Sequence, residues 1–546
     1  MNIMERQRPQ GQGTPASRRV TAFITAIVVS LGAAVMSVGL ALGVGAAAPS
    51  ALADRVLEHK LANGMTILMV ERHQAPIVSI NMTFGVGGVN EQVGQTGLAH
   101  LYEHMAFKGT RTVGTKDYEK EKPILDELHR VGTELEQRQR ELGRRPADMP
   151  VDPAEKAAIE GLQKRFKELQ EQAAQYVAGN EMALLYQRHG GVGLNAPTGK
   201  DLTRYVISLP ANRLPLWAAI ESDRMANPVV REFYKERGVV MEERRLRNDD
   251  SPSGSLYETF TSAAFRAHQY GVPTIGWESD ILSLTPAATE AFFKTYYGPG
   301  RATIGIVGDI DPKEVVTLIE NTFGKIPASP PPPQLVTVEP PQRGERRVEV
   351  EFDAEPSLAI GFHKPGLGHP DDYVFDVIDE LLTDGPTSRL YSKLVRESRL
   401  AAAVNSDANY PGVRSPNLFV ISATPLAPHT TAEVEAAILA ELERLKNEPV
   451  SSKELERIVN NLDADMVRAL RSNSGLASQL ALYQTVAGDW RYVLKSRDKI
   501  AAVTPADIQR VAAQYFTKSN RTVATLVKKP NSKPLTTVVP REEGRS

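Results

Sequence analysis

A run of prolines, Pro327-Ala-Ser-Pro-Pro-Pro-Pro333 with Pro340-Pro341 behind it, cannot lie in a helix interior or a central strand. It reads as an extended linker over about 327–345 and divides the chain in two. The two pieces repeat one pattern. In the first, Leu284-Thr285-Pro286-Ala287 leads through Ala291-Phe292-Phe293 and Tyr296-Tyr297 to Arg301-Ala-Thr-Ile-Gly-Ile-Val307. In the second, Val503-Thr504-Pro505-Ala506 leads through Val511-Ala512 and Tyr515-Phe516 to Arg521-Thr-Val-Ala-Thr-Leu-Val527. The Thr-Pro pairs stand 504 − 285 = 219 residues apart. Each copy predicts a helix capped by Thr, with Pro at its first position where a missing N–H costs nothing, followed by a strand. The expected fold is therefore α+β: two duplicated halves, each an antiparallel sheet with helices on one face.

Composition narrows the chemistry. A net charge of -2 over 546 residues excludes a strongly basic nucleic-acid binder. The absence of cysteine excludes disulfides, thiolate zinc sites, Cys nucleophiles and iron–sulfur clusters, so a metal must be held by His and carboxylate. Residues 1–19 carry Arg6, Arg8, Arg18 and Arg19, an uncharged Ala/Val/Gly-rich run follows over 20–48, and Ala51-Leu52-Ala53 has the small-x-small form of a cleavage site. Residues 1–53 read as an export signal, which places the protein in a periplasmic or extracellular compartment. The apolar run is long enough that an uncleaved membrane anchor is the alternative. Arg18-Arg19 fits either twin-arginine export or plain positive flanking charge.

The first domain is expected over 54–326 and the second over 346–530, with a disordered tail at 531–546. Within the first, about 118–178 reads as a helical hairpin insertion. Ile124, Leu125, Leu128, Val131 and Leu135 mark one apolar stripe, and Ile159, Leu162, Phe166 and Leu169 the other. Arms of about 25 residues reach about 37 Å. Such a hairpin is either a stabilising arm or a docking arm for a partner.

The chemistry lies in Gly97-Leu98-Ala99-His100-Leu101-Tyr102-Glu103-His104-Met105. On a helix, residues i and i+4 share a face, so His100 and His104 can hold one metal ion. Glu103 lies beside His104, within reach of a water on that ion. The order His-x-x-Glu-His reverses the commoner zinc-peptidase motif and gives a similar constellation. Leu98, Leu101, Met105 and Phe107 interleave with it and predict a half-buried helix. A catalytic zinc takes three protein ligands and an open position; here the third must be His, Asp or Glu.

Leu61-x-Asn63-Gly64-Met65, Gly87-Gly88-x-x-Glu91, the histidine motif and Phe107-Lys108-Gly109-Thr110 together resemble the pitrilysin/insulysin family of inverted-motif zinc metallopeptidases, in the branch of mitochondrial processing peptidase and its bacterial relatives. The resemblance implies one Zn²⁺ per chain, an inactive second half, and a clamshell that admits short or unfolded polypeptides. It puts the third ligand at Glu243 and a supporting carboxylate at Glu236, in Glu236-Arg-Gly-Val-Val-Met-Glu-Glu243. Seven residues are two helical turns, so both point the same way. Glu103 becomes the general base. Gly191-Val-Gly-Leu-Asn195-Ala196 matches the family's edge strand, which makes Asn195 and Ala196 candidate substrate contacts.

In relatives that act alone, the second half supplies an Arg and, seven residues later, a Tyr. Arg396 fills the first place, but Ala403 fills the second. Three readings follow: a heterodimer whose partner lacks zinc and supplies the Arg and Tyr, a homodimer that manages without them, or Tyr410 acting from a shifted register. The functional expectation is an exported zinc endopeptidase; a non-catalytic scaffold subunit is the alternative.

Overall fold

The computed structural model describes residues 52–146 and 148–529. The export segment up to residue 51, its apolar run at 20–48 and the tail at 531–546 lie outside them. Among the described residues no helix is long and apolar enough to cross a membrane.

Two sheets organise the chain. The first contains β1 (Leu57–Lys60), β2 (Thr66–Glu71), β3 (Ile77–Phe84), β4 (Val192–Asn195), β5 (Thr203–Pro210) and β6 (Ala302–Gly308), in the order β1-β2-β6-β3-β5-β4. The second contains β7 (Arg346–Phe352), β8 (Ser357–Lys364), β9 (Ala401–Tyr410), β10 (Asn417–Pro425) and β11 (Arg521–Lys528), in the order β7-β11-β8-β10-β9. With β1 set aside, the orders superpose strand for strand. Neither sheet is wholly antiparallel: β2 runs parallel to β6, and β7 to β11. In both halves the last strand enters after the repeated helix, α6 (Pro286–Tyr296) or α10 (Pro505–Tyr515), and inserts between earlier strands. Thr285 and Thr504 cap these helices, accepting from Ala288 N and Asp507 N.

The sheets exchange cover. Helix α5 (Pro252–Ala264) packs on β7 and β11 of the second sheet, and α9 (Asn473–Ala487) on β3 and β6 of the first. Both approaches are close: a Cβ on Gly305 would collide with Ala477 O, and one on Gly361 with the Phe260 ring. The Arg72 guanidinium donates to Arg471 O and Leu470 O at the end of α8 (Ser452–Arg471), fixing the turn into α9.

The insertion is a helical pair, α2 (Tyr118–Gly143) and α3 (Pro153–Ala174). Leu125, Leu128 and Val131 meet Leu169, Ala173 and Val229 in a small core of their own. Glu121, fully buried, accepts from Arg231 Nε and Nη2 at 2.6 and 2.8 Å. Glu136 pairs with Arg237. Both arginines belong to the segment that leads into and forms α4 (Phe233–Arg244). The hairpin therefore buttresses α4, as a stabilising arm would.

Candidate metal centre

Helix α1 (Leu98–Met105) carries the histidine motif. Leu98, Leu101, Tyr102 and Met105, spaced i, i+3, i+4, i+7, are buried in the main core and turn the opposite face toward α4. The helix starts at Gly97, whose φ of 89° lies in the left-handed region. Its first N–H groups find a carboxylate: Glu91 accepts from Gly97 N at 2.9 Å and from Ala99 N at 2.8 Å. Burial pushes Glu91 up to about 8 and brings its buried neighbour Lys200 down to about 8.

The rings of His100 and His104 stand 4.8 Å apart. Glu243, near the end of α4, brings Oε2 to 3.7 Å from His100 Nε2 and 3.3 Å from His104 Nε2. One ligand atom from each of the three residues lies within 4.8 Å of the others. A tetrahedron with zinc–ligand bonds of 2.0–2.1 Å has edges of about 3.4 Å, so this donor set fits a zinc ion with little adjustment. Two turns earlier on α4, Glu236 places Oε2 at 3.5 Å from His104 Nδ1 and Oε1 at 2.5 Å from Lys108 Nζ. Glu242 points away and pairs with the exposed Arg245.

The electrostatics favour a cation. Burial drives His100 down to about 4. Burial also depresses His104, but hydrogen bonds to Glu236 and Glu243 outweigh it and raise the imidazole to about 9. Burial lifts the Glu103 carboxyl to about 7, against the pull of a hydrogen bond from Thr198 Oγ1 to Glu103 Oε2 at 2.6 Å. Three partners escaped sequence reasoning: Thr198, Lys108, and Arg247, which lies 2.6 Å from Glu243 Oε1. Thr198 follows Asn195-Ala196-Pro197 and Lys108 follows the motif by four residues, but nothing in their spacing names a carboxylate.

Strand β4 is the free edge of its sheet. Asn195 is exposed there, whereas Ala196, just past the strand, is 8% exposed and packs in the core. Arg396 is engaged with its own half, donating from Nη1 to Pro386 O at 2.9 Å. Ala403 is exposed on β9, opposite Thr424. Tyr410 packs its ring on Tyr257 and Phe260 and holds Thr261 Oγ1 at 3.0 Å. These contacts commit it to the seam between α5 and the second sheet.

Comparison with known proteins agrees with this arrangement. The family described as "Insulinase (Peptidase family M16)" matches residues 66–135, and "Peptidase M16 inactive domain" matches 283–462. The chain is 27% identical over 475 residues to the zinc protease PqqE of Helicobacter pylori, covering 85% of this chain and 91% of that protein. It is 21% identical to an uncharacterized zinc protease, YmxG, of Bacillus subtilis, covering 84% and 94%. The crystal structure of a protease from Helicobacter pylori superposes with a TM-score of 0.71 at 26% identity, over 87% of this chain and 99% of that one. The first half of the periplasmic protease PqqL from Escherichia coli shares the fold, with a TM-score of 0.62 at 18% identity, over 87% and 92%. With an inverted histidine motif on α1, a carboxylate from α4 and two sheets of one topology, the chain belongs to the insulinase, or M16, family of zinc-metallopeptidase-like proteins.

Proposed function

We propose that the protein is an exported zinc endopeptidase acting on short or unfolded polypeptides, with His100, His104 and Glu243 holding one ion. The convergence of these three donors beside Glu103 carries the reading. When bound, the ion supplies Lewis acidity for peptide hydrolysis.

The chain's own groups do the rest. Thr198 occupies Oε2 of Glu103, which leaves Oε1 to take a proton from the attacking water and return it to the leaving amine. Glu236 orients the His104 ring through Nδ1, and Lys108 balances the charge of Glu236. Backbone groups of β4 offer an extended peptide the pairing of an added strand.

A partner chain belongs to the same reading. Arg396 is turned to Pro386. Ala403 has no hydroxyl and Tyr410 is packed away, so neither position that the family resemblance points to offers a phenol to an oxyanion. A homologous subunit without the zinc motif would supply one; a homodimer is the alternative.

The test is hydrolysis of an unstructured peptide by purified protein, with and without a chelator, beside Glu103→Gln. Chelator-sensitive cleavage, lost in a Glu103→Gln protein that still binds zinc, is the expected result. Cleavage that survives either treatment refutes the mechanism, and absence of cleavage even with a homologous partner points to a scaffold subunit.

A further inference from the structure

The short turn that joins β4 to β5 makes more contacts than the mechanism uses. It is closed on itself: Thr198 bridges Thr203 as an antiparallel pair, and Gly199 N donates to Leu202 O at 2.9 Å. At its start, Thr198 donates to the Glu103 carboxylate. In its middle, Gly199 O and Lys200 O accept from Gly88 N and Val89 N, each at 3.0 Å. The turn therefore lies on the segment that ends in Glu91, the carboxylate that meets the first N–H groups of α1. The approach is close, since a Cβ on Gly87 would come within 2.3 Å of Gly199 O.

The next residue, Asp201, reaches the second half. Its carboxylate is buried and accepts from three neutral donors. Oδ2 takes the N–H groups of Val413 and Arg414, at 2.8 and 3.1 Å, in the turn between β9 and β10. The Tyr270 hydroxyl donates to the same carboxylate, 2.8 Å from each oxygen, and accepts in turn from Ser415 N at 3.1 Å. Gly412 completes the fit: a Cβ there would meet Asp201 Oδ2 at 2.7 Å and the Tyr270 hydroxyl at 2.8 Å. Hydrogen bonds to an ionised carboxylate are about twice as strong as neutral ones. A buried carboxylate cannot exchange them for water, so losing one is costly. The turn of the second half thus fixes Asp201, as a clasp.

Only Gly199 and Lys200 separate the clasp from Thr198, and the carbonyls of both are held. A displacement at Asp201 has no slack in which to be absorbed before it reaches Thr198. The bond that Thr198 makes to Glu103, at 2.6 Å, weakens steeply with misalignment. We propose that Asp201 is a positioning residue, through which the half without a histidine motif sets the Thr198 hydroxyl on Glu103. The proposal rests on the peptidase reading for what Glu103 does. It gives the second half a part in the chemistry that needs no contact with substrate.

Two variants disturb the clasp without altering the turn at 198–203: Tyr270→Phe removes a donor, and Gly412→Ala intrudes from the second half. Peptide hydrolysis, zinc content and amide hydrogen exchange are measured on full-length protein. Each variant should lower kcat about three- to fivefold, the worth of about one hydrogen bond, with KM and zinc content unchanged. The effect passes through one hydroxyl, so adding either change to Thr198→Val should lower kcat by less than about twofold more. Exchange should quicken in peptides spanning 195–203 and 97–105. Arg72→Met is the comparison, because Arg72 ties the first half to the turn between α8 and α9. It should lower the melting temperature and change neither kcat nor exchange at those two segments. Unchanged kcat in both clasp variants overturns the proposal, as do losses that multiply with that of Thr198→Val or an equal fall in Arg72→Met. Tyr270→Phe decides if Gly412→Ala does not fold. A wild type that hydrolyses nothing refutes the peptidase reading and leaves exchange to judge the clasp. Faster exchange at 97–105 in the clasp variants alone supports the coupling, and unchanged exchange overturns it.

Discussion

Glu103 has one carboxylate oxygen committed to Thr198 and one free, and that asymmetry makes a prediction. Thr198→Val keeps the shape and removes the donor. It should lower kcat about tenfold with little change in KM or zinc content, since a hydrogen bond to a charged group is worth about 1.5 kcal/mol or more. Thr198→Ser should recover most of the loss, and steady-state kinetics with metal analysis decide it. On the other side of the centre, Glu236→Gln should weaken zinc binding about 10- to 100-fold in a chelator competition, because the ring it steadies is a ligand. The residues of the motif were legible in the sequence, since His100 and His104 at i, i+4 need only a helix to become neighbours. Glu243 was legible only through family resemblance: 139 residues separate it from His104, and no local rule links them. Thr198 and Lys108 were not legible, because each meets its carboxylate through tertiary packing; Arg247 stands i+4 from Glu243, a local pair whose meaning depends on knowing that Glu243 is a ligand.

At the scale of elements, the hairpin and α4 act together. The Glu121–Arg231 pair is fully buried, and Arg231 also donates to Lys108 O and Thr110 O behind α1. Removing one partner of a buried pair strands the other charge, so Glu121→Ala should cost about 3–5 kcal/mol in denaturant unfolding. A surface pair such as Lys122–Asp126 should change stability by less than about 1 kcal/mol. The sequence announced both arms through their apolar stripes, and the helices follow closely, at 118–143 and 153–174. It could not say what the arms do. The charged positions that tie them to α4, Glu121 and Glu136, look like solvated face residues until α4 is in place.

For the whole molecule, the duplication was readable in the Thr-Pro helices and the strands after them, because capping and strand composition are local. The parallel pairs were not, since strand order depends on where β6 and β11 insert. Nor was the exchange of α5 and α9 between the sheets, which the close approaches at Gly361 and Gly305 permit. The second half also sets a pH dependence. Burial raises Asp376 and Asp379, on the helix α7 (Pro370–Thr383), to about 7 each. An unfolded aspartate titrates near 3.9, so the fold binds these protons more tightly. Their contribution to stability is present below about pH 4 and is lost as pH rises through about 7. Asp376→Asn should therefore raise the melting temperature at pH 8 and leave it nearly unchanged at pH 4, as calorimetry at the two pH values would record. The claim on which the account turns is that one chain gathers one ion between α1 and α4. Zinc content of the purified protein, measured by mass spectrometry beside Glu243→Ala, tests it most directly. One zinc per wild-type chain and little in the variant is the expected result; an equal zinc content in both, or none in the wild type, contradicts it.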